Sequence, residues 1–412
     1  MSKVKRIKGF ADMFSPESDT FTFMETVARD VFSSFGYKEL RTPILERTEL
    51  FKRSIGDETD VVQKEMYTFD DRKGRSLTMR PEATAGVMRA YIEGNVNATE
   101  QISKLFTFGP MFRYERPQKG RMRQFHQINC ECLGPVEPHA DAEVILMLMI
   151  FLDKIGLKEL VLEVNSLGCR ECRPQYNEAL RTFLAGLNKE ELCEDCQRRM
   201  DTNPLRVLDC KVPGCKALTE NAPTIIEHTC ATCRDHHAKV LSTLSAANMQ
   251  YVQNDRLVRG LDYYNRTTFE VISSTIGSQA SVAGGGRYDG LIKQLGGADV
   301  PGIGFACGME RLALMLGERE VEQPDFYIAI LDENGLEDGL MLAQHLRLAG
   351  KKGDVSYAAK SMKAQMRQAG KKGARKALIL GGDELAAKTI VVKDMESGEQ
   401  VTIPQSELVD HI

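Results

Sequence analysis

A chain of 412 residues with 42% hydrophobic and 27% charged residues has an ordinary globular composition and room for two or three domains, each with its own core. That excludes fibrous and low-complexity classes, and a formal net charge of −4 excludes nucleic-acid binding through a global positive field, leaving local basic patches to do it. The basic start, Met1-Ser-Lys-Val-Lys-Arg-Ile-Lys8, runs into Gly9 without an apolar core, so no secretory signal and a cytoplasmic location are expected.

Phe21, Met24, Val27, Ala28, Val31 and Phe32 fall at helical spacing and predict a helix over 16–35, ended by Gly36. Tyr37 to Pro43 reads as a short strand broken by proline, Leu77 to Pro81 and Leu105 to Phe108 as further strands, and Arg113 to Cys132 as a strand–loop–strand hairpin. The longest apolar run, Val144 to Leu152, is far short of the ~20 residues a membrane helix needs. With Asp141 and Glu143 before it, it reads as a buried helix, and no membrane partner is expected. A cysteine-rich segment over 166–248 reads as mostly helical. Strands then resume, among them Thr267 to Ile272, and Gly308 to Leu316 opens a helix. Beyond Pro324 a strand (Asp325 to Leu331), two helices (Leu340 to Leu348, Met362 to Ala369) and a strand (Ala377 to Gly381) give an α/β alternation. The expected organisation is an α+β catalytic core in two parts, 1–165 and 249–321, an insertion at 166–248 and a C-terminal α/β domain at 322–412.

Three segments concentrate chemistry. Val258-Arg-Gly-Leu-Asp-Tyr-Tyr-Asn-Arg-Thr-Thr-Phe-Glu270 places the Arg259 guanidinium beside two phenols, Tyr263 and Tyr264, which fall on opposite faces if the run is extended. Ala283-Gly-Gly-Gly-Arg-Tyr-Asp-Gly290 adds tight backbone and a second Arg–Tyr pair, a combination suited to a small polar ligand. In Phe106 to Glu131, Arg113 and Glu115 stand two apart, so on a strand they share a face, and Gln127 and Glu131 return with even spacing. A charged surface hairpin is the bland reading. The alternative is an Arg113 fork on a phosphate, Arg121 and Arg123 on distal phosphates, and Glu131 facing a cationic or NH-bearing substrate.

The first two runs resemble the signature peptides of histidyl-tRNA synthetases, and the third resembles motif 2 of the class II aminoacyl-tRNA synthetases. Gly36 to Glu46 is similar to motif 1, and Gly302-Ile-Gly-Phe-Ala-Cys-Gly-Met-Glu-Arg311 to motif 3. Taken in order, these blocks identify the chain as a member of the bacterial-type histidyl-tRNA synthetase family. The resemblance implies a catalytic core on an antiparallel sheet, a homodimer built through motif 1, and an anticodon-binding C-terminal domain. The implied substrates are L-histidine, ATP with magnesium, and tRNA(His). For histidine it implies Glu82, Ala83, Thr84, Arg113, Gln127, Glu131, Arg259, Tyr263 and Tyr264, with Arg113 and Arg259 catalytic. For ATP it implies Arg113, Glu115, Arg121, Arg123 and Arg311. Gln118, in the loop Arg116 to Arg121, is the implied reader of the extra 5′ guanosine at the tRNA acceptor end. Asn129 departs from the family's smaller residue, which alters local packing but leaves Glu131 in register.

Lys351, Lys352, Lys360, Lys363, Arg367, Lys371, Lys372, Arg375 and Lys376 cluster with Asp354 as the acid among them. In a net-acidic chain that clustering favours phosphate contact over a merely solvated helix face. Cys169, Cys172, Cys193, Cys196, Cys210, Cys215, Cys230 and Cys233 form paired knuckles that fit two four-thiolate structural zinc sites or, equally, a set of reduced packing thiols. His228, His236 and His237 are spare ligands, and Cys130, Cys132 and Cys307 read as small packing residues. Two other functions compete. One is the regulatory paralogue that partners a short ATP phosphoribosyltransferase, against which stand Arg113, Arg259, Arg311 and a full C-terminal domain. The other is a zinc-dependent nucleic-acid-binding protein without catalysis, which leaves the Arg–Tyr–Glu constellation unexplained.

Overall fold

The computed structural model describes residues 3–57, 59–274, 281–317 and 322–412, in two compact units that divide between Arg319 and Glu320. In the larger unit Leu45–Arg47, Ser76–Met79 and Tyr67–Asp70 form a three-stranded antiparallel sheet, and the other described strands form an eight-stranded sheet. Its order is Lys38–Glu39, Ser103–Phe112, Gln124–Leu133, Gly302–Gly308, Ser281–Arg287, Asn265–Ser273, Leu160–Ser166, Val252–Gln253. Neighbours run antiparallel except at the two outer, two-residue strands, which pair in parallel.

Alternation along Gln124–Leu133 assigns the two faces. Ile128, Cys130 and Cys132 point into a core shared with Ile303, Phe305 and Cys307 and with the helices Glu17–Ser34, Pro138–Lys154 and Ala231–Ala246. The cysteines there are small packing groups, and the apolar run Val144 to Leu152 is the buried stretch of Pro138–Lys154. Gln127, Asn129 and Glu131 point to the other face, with Glu131 opposite Gly304 and Leu105.

The glycine run is explained by that same face. A Cβ on Gly304 would collide with the Glu131 carboxyl group, and one on Gly284 with the Arg259 guanidinium, so both side chains lie against bare backbone. Gly304→Ala is expected to cost about 1–3 kcal/mol of stability by overpacking and to displace Glu131. Denaturant melts and histidine calorimetry check this, and unaltered histidine affinity would contradict it.

Three expectations need correction. Only Lys38–Glu39 of the 37–43 run pairs as strand. The hairpin strand ends at Phe112: the Arg113 N–H still reaches across to the Arg123 carbonyl, but the Tyr114 N–H leaves for the Glu65 carbonyl and the Glu115 N–H turns back to the Arg113 carbonyl. Arg113 and Glu115 therefore sit in the loop, not two apart on a strand. Tyr263 and Tyr264 lie in a turn rather than an extended run, their ring centroids 4.6 Å apart. Both face one cavity instead of opposite sides of a sheet.

The smaller unit has a five-stranded sheet in the order Gly353–Val355, Phe326–Ile330, Lys376–Leu380, Thr389–Asp394, Gln400–Pro404, parallel among the first three and antiparallel beyond. Buried Gln365, on the helix Met362–Lys372, satisfies itself between the Tyr327 hydroxyl and the Ile330 carbonyl.

Candidate active site

Over the polar face of the larger sheet lies a cavity of about 490 Å³. Glu82, Thr84, Arg113, Glu115, Arg121, Gln127, Glu131, Arg259, Tyr263, Tyr264 and Arg311 line it, as the sequence singled out. The first turn of the helix Thr84–Glu93 fixes one end, since the Glu82 carboxylate accepts from the Thr84 and Ala85 backbone N–H groups at 2.8 Å each. These are donors that a helix start leaves unpaired. Ala83, fully buried, backs that turn. Burial pushes the Glu82 carboxyl up, against the two N–H groups that hold it down.

Glu131 is 1% exposed. Its Oε1 accepts from the Thr84 hydroxyl at 2.7 Å and its Oε2 from the Tyr288 hydroxyl. Burial raises its carboxyl to about 8, with the Thr84 and Tyr288 hydrogen bonds opposing the shift and Glu82 adding to it. Burial also raises the Tyr264 phenol, so near neutral pH it is a donor. Gln127 Oε1, Asn129 Oδ1 and Arg259 Nε are buried with no hydrogen-bond partner within the protein. Orphaned polar atoms gathered in one cavity call for a polar ligand, since each costs desolvation until it is paired.

The opposite end is cationic. Arg113 donates through Nε to the Pro81 carbonyl at 2.9 Å and stacks over Phe125. Arg121 pairs with Glu115, and Arg311 Nη1 donates to the Ser281 carbonyl at 2.5 Å. Burial lowers the Arg311 and Arg121 guanidinium pKa values, and neighbouring arginines lower them further, Arg121 and Arg113 acting on Arg311 and Arg113 on Arg121. Like charges crowded this way are relieved by an anion. Arg259 pairs with Glu270 at 3.0 Å. Burial opposes its charge, but Tyr264 and Glu270 outweigh that and the net shift is upward.

Arg123 and Gln118 are not brought into this lining. The Arg123 guanidinium stacks on Tyr114 at 3.7 Å and donates to the Glu115 carbonyl. Gln118 closes the turn of the basic loop through paired backbone hydrogen bonds with Arg121. The sequence reading also missed residues. Tyr288 lay in the second glycine-rich run, which was signal enough. Arg199, Arg206, Asp209 and Lys211 line the cavity from the cysteine-rich segment, and nothing in their spacing pointed there.

A family model described as histidyl-tRNA synthetase matches residues 9–312, and one described as anticodon binding domain matches 325–412. The chain belongs to the histidyl-tRNA synthetase family. The histidine–tRNA ligase of Oleidesulfovibrio alaskensis is 73% identical over 406 residues, 98% of this chain and 97% of that one. That of Nitratidesulfovibrio vulgaris (strain DP4) is 70% identical over 403 residues, at 98% and 97%. The crystal structure of the apo S. aureus histidyl-tRNA synthetase superposes with a TM-score of 0.82 at 36% identity, covering 100% of this chain and 99% of that chain. A Bacillus halodurans ATP phosphoribosyltransferase regulatory subunit/histidyl-tRNA synthetase, at 19% identity and a TM-score of 0.68, shares the fold.

The eight knuckle cysteines of this synthetase fall into two groups, Cys169, Cys172, Cys230, Cys233 and Cys193, Cys196, Cys210, Cys215, with all Sγ atoms of a group within 4.8 Å of one another. Sγ–Sγ separations of 3.4 Å (Cys169–Cys172), 3.9 Å (Cys172–Cys233) and 3.7 Å (Cys193–Cys210) surround the ~3.8 Å edge of a tetrahedron with zinc–sulfur bonds of ~2.3 Å. Donor set and geometry fit zinc. The spare histidines are not in either group: His236 pairs with Asp141 at 2.8 Å, and His228 packs against Tyr176. In the smaller unit, Lys352, Lys372 and Arg375 pair with Glu322, Asp354 and Asp325, while Lys360, Lys363, Arg367 and Lys371 are exposed. No helix among the described residues is long and apolar enough to cross a membrane.

Proposed function

We propose that this chain, a histidine–tRNA ligase by family, activates L-histidine at the Glu131 end of the cavity with ATP held at its arginine end. The observation that carries this is the set of buried polar atoms left unpaired in the cavity: the Gln127 Oε1 and Asn129 Oδ1 acceptors suit an ammonium, and the Arg259 Nε donor suits a carboxylate or phosphate oxygen. Glu131 accepts one imidazole N–H and Tyr264 donates to the other ring nitrogen. Gln127 and Glu82 take the ammonium. A pocket built this way rejects apolar isosteres because its own polar groups would be left unpaired.

A histidine carboxylate oxygen attacks the ATP α-phosphorus in line. The new P–O bond forms as the bond to pyrophosphate breaks. Arg113 and Arg259 flank that phosphorus, where charge develops, and Arg121 and Arg311 take the distal phosphates and the nucleotide. Glu115 keeps one oxygen besides the one Arg121 takes, which suits the magnesium that ATP carries. Arg123 acts from outside the cavity by holding the Glu115 carbonyl. The 3′-terminal ribose hydroxyl of tRNA(His) then attacks the activated carbonyl and AMP leaves. Gln118 reads the extra 5′ guanosine and the exposed basic residues of 360–371 contact anticodon-stem phosphates.

We read the domains as 1–165 and 249–321 for the core, 166–248 for the insertion and 322–412 for anticodon binding, in a cytoplasmic homodimer. Charging of tRNA(His) with histidine tests the reading, and transfer without dependence on ATP would contradict it. Gln118→Ala is expected to weaken discrimination for the 5′ guanosine while leaving adenylate formation intact. Both thiol groups hold structural zinc in this reading, because four thiolates leave no position open for chemistry. Elemental analysis of reduced protein is expected to give two zinc ions per chain, and a chelator is expected to lower the melting temperature. Protein free of zinc with an unchanged melt would contradict it.

A further inference from the structure

Arg173 and Arg206 belong to the cysteine-rich segment, yet both reach the loop that carries Arg259, Tyr263 and Tyr264. Arg206 lies between Cys196 and Cys210 of one thiol group. Its Nη1 donates to the Arg259 carbonyl at 3.0 Å, and Asp209 steadies it at 3.0 Å. Arg173 directly follows Cys172 of the other group and opens the helix Arg173–Ala185. Its Nη2 donates to the Tyr264 carbonyl. Between these two ties, Asn203 Nδ2 donates to Asp262 Oδ1 at 2.9 Å.

The loop needs such support. It ends where the strand Asn265–Ser273 begins, so it lies outside the sheet ladder, and the Asp262 N–H reaches the Ile55 carbonyl only at 3.4 Å. The apolar packing agrees, since Cys196, Cys210 and Cys215 are buried in the same cluster as Tyr264 and Tyr288.

We propose that the two cysteine groups anchor the 259–264 loop at its two ends, with Arg206 and Arg173 as the positioning residues that set Arg259 and the tyrosines for histidine. The metal part of this rests on the zinc reading above; the arginine part does not. A charged donor on a loop carbonyl is a strong hydrogen bond, and a side chain misplaced by an ångström loses most of its effect on the chemistry.

The test is the double variant Arg173→Ala/Arg206→Ala, shown to be folded by circular dichroism and to keep the zinc content of the parent by elemental analysis. Its histidine Kd, measured by calorimetry, is expected to rise at least about tenfold, with Arg173→Lys/Arg206→Lys recovering part of the loss. Unchanged histidine affinity in the alanine variant would overturn the proposal. Cys196→Ser/Cys210→Ser, which removes one metal site, is expected to weaken histidine binding in the parent and to add little in the double variant, because the route to the loop is already cut. Full additivity of the two would also overturn it. If reduced protein holds no zinc, the zinc reading falls on that measurement alone, and the arginine variants still decide whether the loop is held from the insertion.

Discussion

Glu131→Ala is expected to lower histidine-dependent ATP–pyrophosphate exchange on the order of 10²–10³-fold in kcat/KM, since a hydrogen bond to a charged group contributes about 1.5–3 kcal/mol and each buried donor left unpaired costs about 1–3 kcal/mol more. The loss is larger than that of one contact, because the Thr84 and Tyr288 hydroxyls that donate to Glu131 are left without an acceptor in a buried site. Glu131→Gln separates charge from shape. Burial sets the Glu131 carboxyl at about 8, so below that pH a proton must leave before the carboxylate accepts an imidazole N–H. Histidine affinity should therefore rise about tenfold per pH unit up to pH 8 and level off above it. Below about pH 6.5 the substrate imidazole adds a second proton to be lost and the slope steepens. The glutamine variant should bind weakly and show no dependence through pH 8. A parent enzyme with flat histidine affinity between pH 7 and 8 would contradict this assignment.

Arg259→Ala acts on a different step. Its guanidinium is held by Glu270 at 3.0 Å with Nε unpaired, so in the proposed reading it would meet the α-phosphate already oriented. Removing a fixed donor aimed at developing charge costs about 2.7–4 kcal/mol, on the order of 10²–10³-fold in kcat. Its mark is a fall in turnover with little change in the KM for ATP, because the interaction strengthens at the transition state. Arg259→Lys should not restore the rate, since a point charge cannot replace the planar fork. Pre-steady-state adenylate formation measures this. A variant whose KM for ATP rises while turnover holds would move Arg259 to ground-state binding.

Much of this was legible in the residues. Even spacing put Gln127 and Glu131 on one face of a strand, and the glycines opposite them had no other evident use until Glu131 and Arg259 were seen lying on bare backbone. The helical periodicity from Phe21 to Phe32 and the apolar run from Val144 each marked a core helix. Local pattern misled where tertiary hydrogen bonds decide the backbone. The chain leaves its strand just past Arg113 because the Tyr114 N–H goes to the Glu65 carbonyl, some fifty residues back, and the Glu115 N–H to the Arg113 carbonyl, and Tyr263 and Tyr264 turn together toward one cavity instead of alternating. The contribution of Arg173, Arg199, Arg206 and Lys211 was not legible at all, since no spacing rule links residues of the insertion to a loop that lies 53 residues beyond Arg206 and 91 beyond Arg173.

The most direct test of the central claim is ATP–pyrophosphate exchange on the purified protein with each of the twenty standard amino acids in turn. Exchange supported by histidine alone, and abolished in Glu131→Ala, is the expected result. Exchange with another amino acid, or none with histidine from protein shown to be folded, would contradict the assignment of this cavity to histidine activation.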